Sequence, residues 1–315
     1  MARRLRLRRG APLLAAALAL GAIVTGPGVQ AQGPPGLKRH PVLPSMVAGH
    51  PRNLSLGLFG GRPIKYHGGP VILGTTHAYA IWYGNWPATS AYPATPALLA
   101  SFLNNDGGSP YFNINTTYNN GTTAVSNSVT FGGAAFIGYD NGKTTLSDTD
   151  VANEVARGIA SGQLPSTVPD PNGVYFLFTS SDVRESSGFL TLYCGFHDFT
   201  TINGVATKYA FVGDPSRSLS SCAGQTAKSP NGNVAGDAMV NVTAHELEEA
   251  VTDPLLNAWY DNAGNENADK CAWKFGTTYT AANGSQANMK LADGHDYYVQ
   301  QNWLNVGNGS CALSH

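Results

Sequence analysis

The segment TAHELEEAVTDP, Thr243 to Pro254, holds the residues best suited to chemistry. His245 and Glu246 start it like the H-E-x-x-H helix of a zinc peptidase, but Glu249 stands where the second histidine would be. Zinc accepts a carboxylate oxygen in place of an imidazole nitrogen. At about 100° per residue, positions four apart share a helix face. His245 and Glu249 are therefore expected to converge as two metal ligands, with Glu246 as the general base that takes a proton from a metal-bound water. A third ligand is sought in WYDNAGNENADKCAW, Trp259 to Trp273, which offers Asp261, Glu266 and Asp269. Glu266 follows Glu249 by 17 positions, similar to the spacing of the third glutamate in thermolysin-like enzymes, and is the preferred ligand. Asp269 is the alternative ligand, or the partner that orients His245. His197 and His295 are candidates for polarising a substrate, with His197 the chosen catalytic partner.

Bland readings compete with each assignment. An ordinary amphipathic helix carries Glu246, Glu248 and Glu249 on its wet face. The Asp261–Asp269 stretch could be a polar turn or a calcium loop, though it lacks the full EF-hand pattern. Zinc is the expected cofactor and calcium the second candidate. No G-x-S-x-G is present, which removes the usual nucleophile elbow of a serine hydrolase. Asn-x-Ser/Thr acceptors occur at Asn53, Asn115, Asn120, Asn241, Asn283 and Asn308, and Asn241 falls on the proposed helix.

The expected helix runs from Asp237, as N-cap, to Thr252, with Pro254 ending it. Val240, Ala244, Leu247 and Val251 form its core stripe. Strands are expected at 77–84, 174–179, 189–194 and 208–212, the second apolar enough for a sheet centre. Helices are expected at 93–104 and from a Ser147 or Asp148 cap to about Ser161. Residues 110–140 suggest short strands and turns. Interleaved helices and strands without a repeat indicate one mixed α/β (α+β) domain around a zincin-like active-site helix.

The N-terminus reads as an export signal. Arg3, Arg4, Arg6, Arg8 and Arg9 precede an apolar run from Ala11 to Val24, and Val29-Gln30-Ala31 offers a cleavage site. Gly26, Pro27 and Gly28 keep the run short for a membrane span. The expected division is a signal peptide at 1–31, a Pro/Gly-rich linker or pro-segment at 32–67, and a globular domain at 68–315. Residues 1–31 carry five of the 19 basic residues and none of the 20 acids, so the mature chain has a net charge of −6. That balance argues against nucleic acid or an anionic membrane as partner. A peptide or cell-wall substrate is the expected partner of a secreted protein. The four cysteines read as two disulfides in an oxidising compartment, with chain order favouring Cys194–Cys222 and Cys271–Cys311.

Five segments in order resemble the phosphate-induced protein/EXORDIUM family: GGPVI (68–72), AIWYGNW (80–86), CGFH (194–197), KYAFVGDP (208–215) and SPNGNVAGDAMVNVTAHELEEAVTDP (229–254). The resemblance implies an extracellular, cell-wall-associated protein with no firmly attached activity. Plant members carry an apolar stretch where this chain has AHELEEAVTDP. The His-Glu pair, second Glu and following acidic, Cys-containing segment resemble bacterial-type members, and imply a zincin-like site by analogy.

Overall fold

A computed structural model describes residues 63–86 and 95–315. The signal peptide at 1–31 and most of the linker expected at 32–67 lie outside the described residues. Five strands form the central sheet: β1 (Thr76–Tyr83), β2 (Val129–Gly138), β3 (Gly173–Thr179), β4 (Gly195–Ile202) and β5 (Val205–Gly213). Their spatial order is β2-β1-β3-β5-β4. The first four in that order run parallel, and β4 closes one edge antiparallel to β5.

Strand β3 is buried along its whole length, as its continuous apolar run requires at a sheet centre. Alternation along β1 sends Ala78, Ala80 and Trp82 into one core and Ile81 and Tyr83 into another. Helix α1 (Thr95–Asn105) and the long α3 (Val234–Thr252) pack on the first side. Helix α2 (Asp148–Ala160) covers the second. Ser147 caps α2 in a reciprocal capping box with Asp150.

Strand β4 differs from the sequence expectation. The apolar pattern predicts a strand at 189–194, but these residues are mainly turn, and the strand starts at Gly195. The cause is the Asn203-Gly204 turn, where both residues take positive φ and fold β4 directly back onto β5. Residues 110–140, expected to be short strands and turns, include the ten-residue β2. Lys65–Tyr66, within the expected linker, pairs antiparallel with Trp259–Tyr260.

Helix α3 is also more than the amphipathic helix expected. It starts three residues earlier than Asp237, with Asn233 as N-cap accepting from Gly236 N–H. From Gly236 to Thr252 every residue is buried, acids included. The wet acidic face of the bland reading is therefore absent from this helix. Both disulfides pair as chain order favoured, Cys194–Cys222 and Cys271–Cys311. Among the described residues no helix is long and apolar enough to cross a membrane.

Candidate functional site

Strand β4 lies against α3, and glycine permits the approach. A Cβ at Gly195 would stand 2.6 Å from Val242 Cγ1 and 3.2 Å from Glu246 Oε1. Two residues on, the pleat returns the same face of the strand, so His197 is also aimed at α3. Beyond the helix the chain turns back sharply. Asp253 Oδ1 accepts N–H bonds from Asn257 and Ala258, which fixes the exit from α3.

The acidic loop then folds on its own contacts. Asp261 accepts from the N–H groups of Ala263 and Asn265 and pairs with Lys270 Nζ at 3.2 Å. Asp261 is thus engaged in shaping the loop. A short 3-10 turn, Asp269–Cys271, ends at the disulfide to Cys311. Asp269 N–H donates to Glu249 Oε1 at 3.0 Å, tying this loop to the helix.

Strand, helix and loop thereby bring five sequence-predicted side chains together. His197 Nε2 lies 3.0 Å from Glu266 Oε2 and 3.7 Å from Glu249 Oε2. His245 Nε2 lies 3.0 Å from Glu249 Oε1 and 3.6 Å from Asp269 Oδ1. The donor atoms fall into two groups, His197/Glu249/Glu266 and His245/Glu249/Asp269, each closed within 4.8 Å. Either group could hold a metal ion. Glu266 therefore sits beside His197, and Asp269 sits beside His245. Glu246 is buried against β4 at Gly195.

Burial and mutual repulsion dominate the electrostatics. Burial pushes the Glu249 carboxyl up to about 7, helped by Asp269 and opposed by His245. Glu266 is raised well above the usual carboxyl range, first by burial and then by Glu249 and its acidic neighbours. Burial works against a charged His245, but Glu249, Asp269 and Glu246 outweigh it and hold the imidazole protonated well above its usual value.

His295 lies instead beside Asp293 and Tyr297, with ring Nδ1 3.6 Å from the Asp293 carboxylate. A second buried acid pair, Glu248 with Asp106, has no signature in the sequence pattern. Glu248 accepts from Asn302 Nδ2 and is raised by burial and by Asp106, with His245 opposing the rise. Burial lifts Asp106 itself to about 7. Asp106 ends a helix whose apolar pattern gave no hint that an acid there would be interior. Asn241 is buried and accepts from Gln300 N–H, so it is no glycan acceptor in this fold.

Residues 64–302 match the conserved region of phosphate-induced protein 1. The chain is similar to Protein EXORDIUM-like 3 of Arabidopsis thaliana, 30% identical over 263 residues, covering 73% of this chain and 74% of the relative. It is also 30% identical over 280 residues to Protein EXORDIUM-like 5 of the same plant, covering 76% and 75%. No solved structure matches. The ordered motifs, and a match running from the first described strand to the end of the buried cluster, place the chain in the phosphate-induced protein 1 family of EXORDIUM-like proteins.

Proposed function

We propose that this chain is a secreted, cell-wall-associated EXORDIUM-like protein of bacterial type that works without catalysis. One observation carries this reading: the donor cluster is sealed. The side chains of His197, Glu249, Glu266 and His245 are at most 1% exposed. A catalytic metal keeps a coordination position open to substrate. A cleft lined by Pro70, Ile72, Pro171, Lys208 and Pro254 contains none of these donors. Two disulfides suit an oxidising, extracellular setting. The test incubates secreted protein separately with insoluble cell-wall material and with a peptide library. Retention on the wall material without peptide cleavage is expected. Cleavage that a chelator abolishes would overturn the reading.

A second reading, a zinc-dependent peptidase-like hydrolase, draws on Asp269, whose side chain is 13% exposed and gives the cluster its one wetter flank. In that reading Glu246 is the general base and His197 polarises the substrate. It requires peptide hydrolysis that Glu246→Gln eliminates without lowering the melting temperature.

A further inference from the structure

The cluster has five donor residues, but they do not converge on one point. Glu249 divides them. Its Oε1 faces His245 and its Oε2 faces His197, at 3.0 and 3.7 Å from the respective Nε2 atoms. Each imidazole has its own second acid, Glu266 for His197 at 3.0 Å and Asp269 for His245 at 3.6 Å. We propose that the cluster binds two divalent transition-metal ions of the zinc class, with Glu249 bridging them. His197 and Glu266 complete one position, and His245 and Asp269 complete the other.

Bond geometry supports two positions. Zinc binds imidazole nitrogen and carboxylate oxygen at about 2.0–2.2 Å, which sets neighbouring donors of a tetrahedron about 3.3–3.6 Å apart. In each triad one separation, 3.0 Å, falls just short of that span, and the other, 3.7 Å at His197 and 3.6 Å at His245, lies at or just past its upper end. A carboxylate offering one oxygen to each ion sets the ions about 3.5–4 Å apart, the usual spacing of a two-metal site.

Unsatisfied atoms point the same way. Glu249 Oε2, Glu266 Oε1 and the inward-facing Nε2 of His245 are buried and make no well-aligned hydrogen bond. Buried polar atoms are nearly always satisfied, and a ligated ion is one way of satisfying them. Charge gives a third argument. Glu246, Glu249, Asp253 and Glu266 are all buried. Asp253 is compensated by backbone N–H groups. Lys270 is paired with Asp261. Glu246, Glu249, Glu266 and Asp269 together carry four negative charges when ionised, which two divalent ions neutralise and one does not. Buried charge left uncompensated is strongly destabilising.

Donor chemistry sets the class of metal. One imidazole with two carboxylates suits zinc and its first-row neighbours. Calcium and magnesium prefer all-oxygen shells. The inference goes beyond the proposed function and does not depend on it, since two sealed ions can serve the fold alone.

The test uses protein purified from culture medium, loaded with zinc chloride and dialysed. Zinc is counted by elemental analysis and by native mass spectrometry. Two zinc ions per chain are expected in the wild type. His197→Gln and His245→Gln should each retain one. One ion or none in the folded wild type overturns the proposal, as does displacement of zinc by equimolar calcium. Loss of both ions from either folded histidine variant also overturns it. If a variant does not fold, the wild-type count decides. Absence of zinc would leave the cell-wall reading standing, whereas peptide cleavage would remove that reading and leave the count of ions intact.

Discussion

His197 Nε2 and Glu266 Oε2 meet at 3.0 Å across 69 positions of chain, joining the edge strand to the loop beyond the long helix. The contact is interior at both ends, with each side chain 1% exposed. It converts three separate sequence segments into one cluster, because Glu249 on the helix touches both the strand and the loop.

Metal removal should therefore loosen the whole assembly. A ligand bound at 100 times its dissociation constant stabilises the native state by about 2.7 kcal/mol. For a domain of this size each kcal/mol moves the melting temperature by roughly 2–4 °C. Dialysis against EDTA is expected to lower the melting temperature by at least about 5 °C, with zinc and not calcium restoring it. Differential scanning calorimetry reads both changes. An unchanged melting curve would show that no ion supports the fold.

Gly195 governs how closely β4 and α3 approach. A Cβ there meets Val242 Cγ1 at 2.6 Å and the Phe211 carbonyl oxygen at 2.8 Å. The carbonyl is sheet backbone and has little room to yield. Gly195→Ala should cost about 1–3 kcal/mol by overpacking, and Gly195→Val more. Urea denaturation of the two variants checks the order. Equal stability of wild type and Gly195→Val would show that the strand and helix are not held at this distance.

The Cys271–Cys311 bridge anchors the loop that carries Glu266 and Asp269. Its cysteines are 40 positions apart, so loop-closure entropy alone predicts about 4 kcal/mol of stabilisation. The double variant Cys271→Ala/Cys311→Ala should lose roughly that amount in equilibrium denaturation. It should also take up zinc more weakly, since Asp269 is the first residue of the 3-10 turn that the bridge holds. Full zinc affinity in the double variant would mean that the loop is positioned by its hydrogen bonds alone.

Much of this arrangement was legible in the sequence, and the losses have physical causes. His245 and Glu249 were readable as neighbours because helix geometry is local. The strand at 174–179 and the Ser147-capped helix followed from apolar run and capping residue. Both disulfide pairs are the ones chain order favours, although order alone leaves all three pairings of four cysteines open. β4 starts at Gly195 and not at 189 because the Asn203-Gly204 hairpin sets its register, which the apolar residues at 189–194 do not report. The allotment of Glu266 to His197, and of Asp269 to His245, depends on contacts between distant segments, which periodicity does not encode. The burial of Glu246, Glu248 and Glu249 was hidden for a related reason. A helix enclosed by strand, loop and neighbouring helix needs no polar face, and composition alone suggests the opposite.

On the far side of the sheet, Glu154 of α2 offers a pH test independent of the donor cluster. Its side chain is fully buried, and the nearest cation is Arg157, with Nη1 3.7 Å from Oε1. Burial raises its carboxyl from 4.5 to about 7, Arg157 opposes the rise, and Asp140 and Asp150 add to it. A carboxyl raised on folding binds its proton more tightly in the native state than in the unfolded chain. Its contribution is then fully present below pH 4.5 and is lost as pH rises through about 7. At 1.36 kcal/mol per pKa unit, the rise corresponds to about 3 kcal/mol, with the opposing pull of Arg157 already included. Glu154→Gln keeps the shape and removes the titration. The variant should match the wild type near pH 4.5 and exceed it by that margin at pH 8, as read from urea midpoints. The donor cluster is identical in both proteins, so its own titration cancels in the difference. A difference that stays constant from pH 4.5 to 8 would show that Glu154 ionises in the folded protein as readily as in the unfolded chain.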